Sequence, residues 1–130
     1  MISREKFEKL AEEIYKNLQE KYKDKIYNLA VLVEDFPTEE QLKKVGAKSK
    51  YSLLGLYEGR VQSRHVNMGA VLPDKISLFY MVIAQSCADE EECKKRIENT
   101  LKHEIAHHFG SDERGARKAA KTRDHYLLTK

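Results

Sequence analysis

The stretch TLKHEIAHHFGSDERG, residues 100–115, holds three of the chain's five histidines and closes on a glycine and two adjacent acids. His103 and His107 are four residues apart. On a helix of about 3.6 residues per turn they stand one above the other on one face. Two imidazoles so spaced can meet one tetrahedral Zn²⁺ at roughly 2.0–2.1 Å. Glu104 sits about 100° round the helix from His103, beside the pair and not on it. There it can hold and deprotonate a metal-bound water without ligating the metal. His103, Glu104 and His107 form an HExxH pattern, with Ile97, Leu101 and Ile105 at the packing positions of the same helix.

Zinc in a hydrolytic site takes three protein ligands and leaves a fourth position for water. Downstream of His107 the candidates are His108, Asp112, Glu113, Asp124 and His125. His108 lies about 100° from its neighbouring ligand and is expected to pack or to face water. The position ten residues after the first histidine, where extended HExxHxxGxxH motifs place their third ligand, is Glu113, with Asp112 just before it. Gly110 is expected to end the helix and let the chain turn back toward the metal.

Outward from this motif, the pattern predicts helix, strand, helix, strand, strand, helix, helix. Residues 3–22 read as an amphipathic helix with Phe7, Leu10, Ala11, Ile14, Tyr15 and Leu18 on one face and Ser3 as cap. Residues 26–34 read as a buried strand. Thr38 and Gln41 form a capping-box pattern, and Gly46 stops the short helix they begin. Further strands are expected at 51–59 and 75–84, separated by a loop or hairpin at 60–74. The motif helix should run over 89–109 from an Asp89 cap, and a last basic helix over 112–128. This order predicts an α+β fold, a small mixed sheet with helices on it, in a single domain spanning 1–130.

The chain has 130 residues, 41% hydrophobic and 35% charged, with a net charge of +3. Such a length is enough for one modest core. The charge is too small to call for nucleic acid, and none is expected as a partner. The N-terminus is charged from its fourth residue, so no secretory signal, no membrane span and a cytoplasmic location are expected. Cys87 and Cys93, in SCADEEEC, match no common zinc-thiolate spacing. One should lie in a loop and the other be buried in the helix that follows.

Three segments in order, LLGLYEG (53–59), LPDKISLF (72–79) and TLKHEIAHHFGSDER (100–114), together resemble the small bacterial zincin-like metallopeptidase family, once filed as a domain of unknown function. The resemblance covers nearly the whole chain. It implies a minimal zincin fold, with an N-terminal helix, a small mixed sheet, an HExxH active-site helix and a C-terminal helix. It also implies two histidines and an acidic third ligand, usually aspartate, in HExxHxxGxxD. His103, Glu104, His107 and Gly110 carry over directly. One departure matters: relatives usually have one more residue after the glycine. Here aspartate falls one position early and glutamate takes its place, so register favours Glu113 and family chemistry favours Asp112. Two other zincin classes match less well. Met1, Met68 and Met81 all precede the motif, leaving no methionine turn, and no glutamate follows Glu113.

The leading expectation is a zinc metallopeptidase acting on a peptide or protein, with Glu104 as base. Tyr126 is available to help an oxyanion, though a core role suits it better. One alternative is a metal-dependent endoribonuclease using the basic tail, Arg114, Arg117, Lys118, Lys121 and Arg123, on phosphate. Glu104 argues against it, since it stands where a peptidase base belongs. The other is a zinc-binding partner or regulatory module with little turnover.

Overall fold

The computed structural model describes residues 1–59 and 73–113, the last three by backbone alone. Helix α1 spans Arg4–Lys21. Its start is fixed as the sequence predicts, with Ser3 Oγ accepting from the Lys6 amide at 3.1 Å. Phe7, Leu10, Ala11 and Leu18 are buried, and Ile14 and Tyr15 pack against the same core. Strand β1 covers Leu29–Glu34, three residues shorter than expected. Asn28 ends the extended run by taking a left-handed conformation, φ 54°, which asparagine tolerates better than a bulky residue.

Helix α2, Glu39–Val45, carries the predicted capping box. Thr38 Oγ1 accepts from the Gln41 amide at 3.1 Å, and Gln41 Oε1 accepts from the Thr38 amide at 2.9 Å. Gly46 closes it at φ 69°. The buried Gln41 also donates through Nε2 to Glu58 Oε1 at 3.1 Å, which ties α2 to the sheet. The segment expected as one strand over 51–59 divides into a 3-10 turn, Lys50–Ser52, and strand β2, Gly55–Glu58. Burial pushes the Glu58 carboxyl up, but bonds from Lys44 and Gln41 and the charge of Lys75 outweigh it and hold the group below its usual range.

The apolar run 75–84 is where pattern and structure differ most. Strand β3 covers only Asp74–Phe79, and the chain then turns directly into helix α3, Tyr80–Gln85. An unbroken apolar run reads alike as a buried strand or a buried helix. Tyr80, Val82, Ile83 and Ala84 are all buried. The turn is pinned by the Met81 amide on the Asp35 carbonyl, 3.0 Å, and by the Tyr80 hydroxyl on the Ile2 carbonyl, 2.5 Å. The loop or hairpin expected at 60–74 lies outside the described residues except at its end. The last helix expected at 112–128 does so except for its first two residues, which continue the motif helix.

The sheet has the order β1-β3-β2. β1 runs parallel to β3, from Leu29 beside Asp74 to Glu34 beside Phe79, and β2 runs antiparallel to it, from Gly55 beside Leu78 to Glu58 beside Lys75. With helices at either end of the described chain, this is the mixed α+β arrangement expected. Helix α4, Glu90–Glu113, packs with α1 on one face of the sheet. Phe7, Leu10, Ile76, Leu78, Ile83, Ile97, Leu101 and Ile105 form the core there, and Leu53, Leu56, Phe79 and Val82 form a smaller one. The cysteines are free, Cys87 half-buried after α3 and Cys93 buried in α4, as expected. Burial, with the neighbouring Cys87, pushes the Cys93 thiol up to about 12. Among the described residues no helix is long and apolar enough to cross a membrane.

β2 lies unusually close to α4 at one point. A Cβ on Gly55 would meet Thr100 Cγ2 at 2.7 Å and the Ser77 carbonyl oxygen at 3.1 Å. Thr100 is buried and its branched side chain has few rotamers to retreat into. Gly55→Ala should therefore cost about 1–3 kcal/mol in denaturant unfolding. Adding Thr100→Ser, which removes the opposing methyl, should recover part of that loss. A double variant no more stable than Gly55→Ala would show that the methyl is not what excludes a side chain.

Candidate metal centre

Helix α4 starts on Asp89, whose Oδ1 accepts from the Glu92 amide at 2.8 Å, and Glu92 Oε1 reaches back to the Ala88 amide at 2.6 Å. Three acids in its first turn complement the helix dipole. Cys93, Ile97, Thr100, Leu101, Glu104, Ile105 and His108 are all buried. Their spacing is one continuous helical stripe. Glu104 and His108 thus occupy core positions, and His103 and His107 lie half-buried beside them.

Glu104 is 0% exposed. Its Oε1 accepts from the Tyr57 amide at 3.0 Å. Its Oε2 is buried with no hydrogen-bond partner among the described residues. Burial pushes this carboxyl up to about 8, and the Tyr57 amide only partly offsets it. His108, which the sequence leaves either to pack or to face water, is 1% exposed and engaged at both ring nitrogens. Nε2 accepts from the Tyr27 amide at 3.4 Å, so Nδ1 carries the proton and donates to Asp74 Oδ2 at 2.9 Å. The same oxygen accepts from the Tyr57 hydroxyl at 2.6 Å. The Tyr57 ring lies parallel to His107, with centroids 6.3 Å apart and planes at 15°, and edge-on to His108 at 5.9 Å.

Tyr57 and Asp74 escaped the sequence reading. Both lie in the segments that carry the family resemblance, but no spacing rule links a strand residue to a helix 47 positions later.

The helix end expected at Gly110, just before the acid pair, does not fall there. α4 runs through Gly110 to Glu113. Glycine costs only about 1 kcal/mol against alanine in a helix, and Gly110 is buried. On a continued helix, position 112 lies about 180° round from His103, and position 113 about 80° to the side away from His107. Neither backbone position is then on the histidine face. Among the described residues no group of three histidine, cysteine or acidic side chains is arranged to hold a metal. The donors that are described nevertheless suit zinc: two imidazoles one turn apart, and beside them a buried carboxylate with one oxygen unsatisfied.

The chain belongs to the zincin-like metallopeptidase family, whose sequence profile matches residues 26–120, from just before β1 through α4. No curated protein matches it. Zinc binding and hydrolysis of a peptide or protein are the chemistry of that family.

The buried carboxyl has a consequence for the metal-free protein. Glu104 keeps its proton in the folded state up to about 8, against 4.5 in its ordinary state. The folded state therefore binds more protons than the unfolded one across that window, and stability falls as pH rises through it. Urea unfolding with chelator present should show this decline. Glu104→Gln, neutral at every pH, should flatten it and be the more stable protein near pH 8. Equal slopes in the two proteins would mean that Glu104 is not buried as described.

Proposed function

We propose that the protein is a zinc-dependent peptidase, acting in the cytoplasm through one domain spanning residues 1–130. His103 and His107 would hold the metal, with Asp112 or Glu113 as third ligand and Glu104 as general base. The observation that carries this reading is Glu104 itself. A buried carboxylate with an unsatisfied oxygen costs stability, and such a cost is expected where a group is kept for chemistry.

Bound zinc would supply a Lewis acid that polarises the scissile carbonyl and acidifies water, and a positive charge favouring the ionised form of Glu104. Glu104 has one job at each oxygen. Oε1 is anchored on the Tyr57 amide, which fixes the plane of the carboxylate. Oε2 is then the atom to take the proton from the attacking water and pass it to the leaving amine. His108, occupied at both nitrogens, is not part of the ligand set.

For Asp112 or Glu113 to complete that set, the last turn of α4 must open after Phe109. Gly110 makes this inexpensive, because glycine favours helix weakly and enters left-handed turns without strain. Glu113 is in family register and its longer side chain compensates for the shorter loop. Asp112 is the residue type usual in the family.

His103→Ala should strip the metal, with elemental analysis as the check; full zinc content in that variant would remove the site. Glu104→Gln should retain zinc and lose cleavage of any peptide that the wild type cuts. A wild type that binds zinc but cuts none of a broad peptide panel would point instead to a zinc-binding module. Between Asp112→Ala and Glu113→Ala, the variant that loses zinc affinity by orders of magnitude names the third ligand.

A further inference from the structure

Three polar residues of α4 meet a single residue of β2. Tyr57 donates its amide to Glu104, lays its ring along His107 and turns its edge to His108. Its hydroxyl is held by Asp74 Oδ2, the oxygen that also binds His108. The alternation of a strand explains how one residue does this. Gly55 and Tyr57 project toward α4 from the same face of β2. Two strand residues advance about 6.8 Å, close to the roughly 6 Å of four helical residues. Gly55 against Thr100 therefore sets Tyr57 against Glu104 and, a turn further on, His107 and His108.

We propose that Tyr57 is a positioning residue for the metal site, with Asp74 as the anchor that fixes its ring. This rests on His103, His107 and Glu104 having the roles given above. A half-buried histidine has several rotamers available. A ring held along one side of His107 removes some of them before metal arrives, so less side-chain entropy is lost on binding. The hydroxyl bond to Asp74 stops that ring from swinging away, and Asp74 is itself immobilised by His108 from α4 and by its place at the start of β3. Tyr57 thus acts on His107 through its side chain and on Glu104 through its backbone, and the two actions separate by mutation. Tyr57→Phe keeps the ring and the amide but frees the ring from Asp74. Tyr57→Leu keeps only the amide.

The test is zinc affinity, measured by competition with a chromophoric chelator, together with thermal unfolding of the metal-free proteins. Loss of a group that orients a metal ligand costs on the order of 10–100-fold in affinity. Tyr57→Leu is expected in that range, with Tyr57→Phe between it and the wild type. A packing role alone would lower the melting temperature of the metal-free variants and leave the zinc affinity of the folded protein unchanged. That result in Tyr57→Leu overturns the proposal. Should Tyr57→Leu fail to fold, Tyr57→Phe decides: wild-type affinity overturns the proposal and weakened affinity supports it. A wild type that binds zinc no more tightly than His103→Ala would instead bring down the metal-site reading itself, and this inference with it.

Discussion

The hydrogen bond from the Tyr57 amide to Glu104 Oε1, 3.0 Å long, is the constraint around which the described structure is arranged. It joins the strand at one end of the sheet order to the middle of the longest helix. It requires β2 to lie close along α4, which Gly55 permits by having no Cβ to meet Thr100. It also requires α4 to turn Glu104 inward, which the apolar stripe of Cys93, Ile97, Leu101 and Ile105 enforces by burial. A carboxylate placed at a core position by that stripe has few ways to recover the hydration it loses, and one backbone amide recovers only part of it.

The polar groups next to it are treated in the opposite way. His108, Asp74 and Tyr57 are also buried or half-buried, yet each is bonded to the next, and His108 closes the chain on the Tyr27 amide. Fully satisfied polar networks in low-dielectric surroundings are rigid, and a half-satisfied group among them stands out as strained. The contrast sets a bonded frame beside a carboxyl whose Oε2 has no hydrogen-bond partner among the described residues. The same economy is visible at β1, which α1 covers: Tyr15 donates to the Leu29 carbonyl and Arg4 to the Val33 carbonyl. Side chains from a helix there do for a strand what a neighbouring strand would otherwise do.

Much of this was legible in the sequence because it is local. Ser3, Thr38 with Gln41, Gly46 and Asp89 each punctuate a helix by bonds to residues within four positions, and each does so in the structure. The spacing of His103, Glu104 and His107 is likewise a property of one helix. Locality also explains two failures. The run 75–84 is apolar throughout, so nothing within it marks the change from β3 to α3 at Phe79; contacts to Asp35 and Ile2 make the turn. Gly110 looks like a stop signal, yet α4 passes through it, because a glycine weakens a helix by little and packing outvotes it.

The sequence by itself determined the class of fold, the three capped helices and the pair of imidazoles with its neighbouring acid, since these follow from periodicity and short-range bonding. Only the tertiary structure decided which way Glu104 faces, that His108 is a buried link to Asp74, and that Tyr57 stands against Glu104, His107 and His108. Those facts depend on β2, β3 and α4 meeting across separations of 17 to 47 residues. No local pattern encodes such a meeting, because hydrophobic burial that drives it is non-directional and the register is settled by shape, here by the one close approach that Gly55 allows.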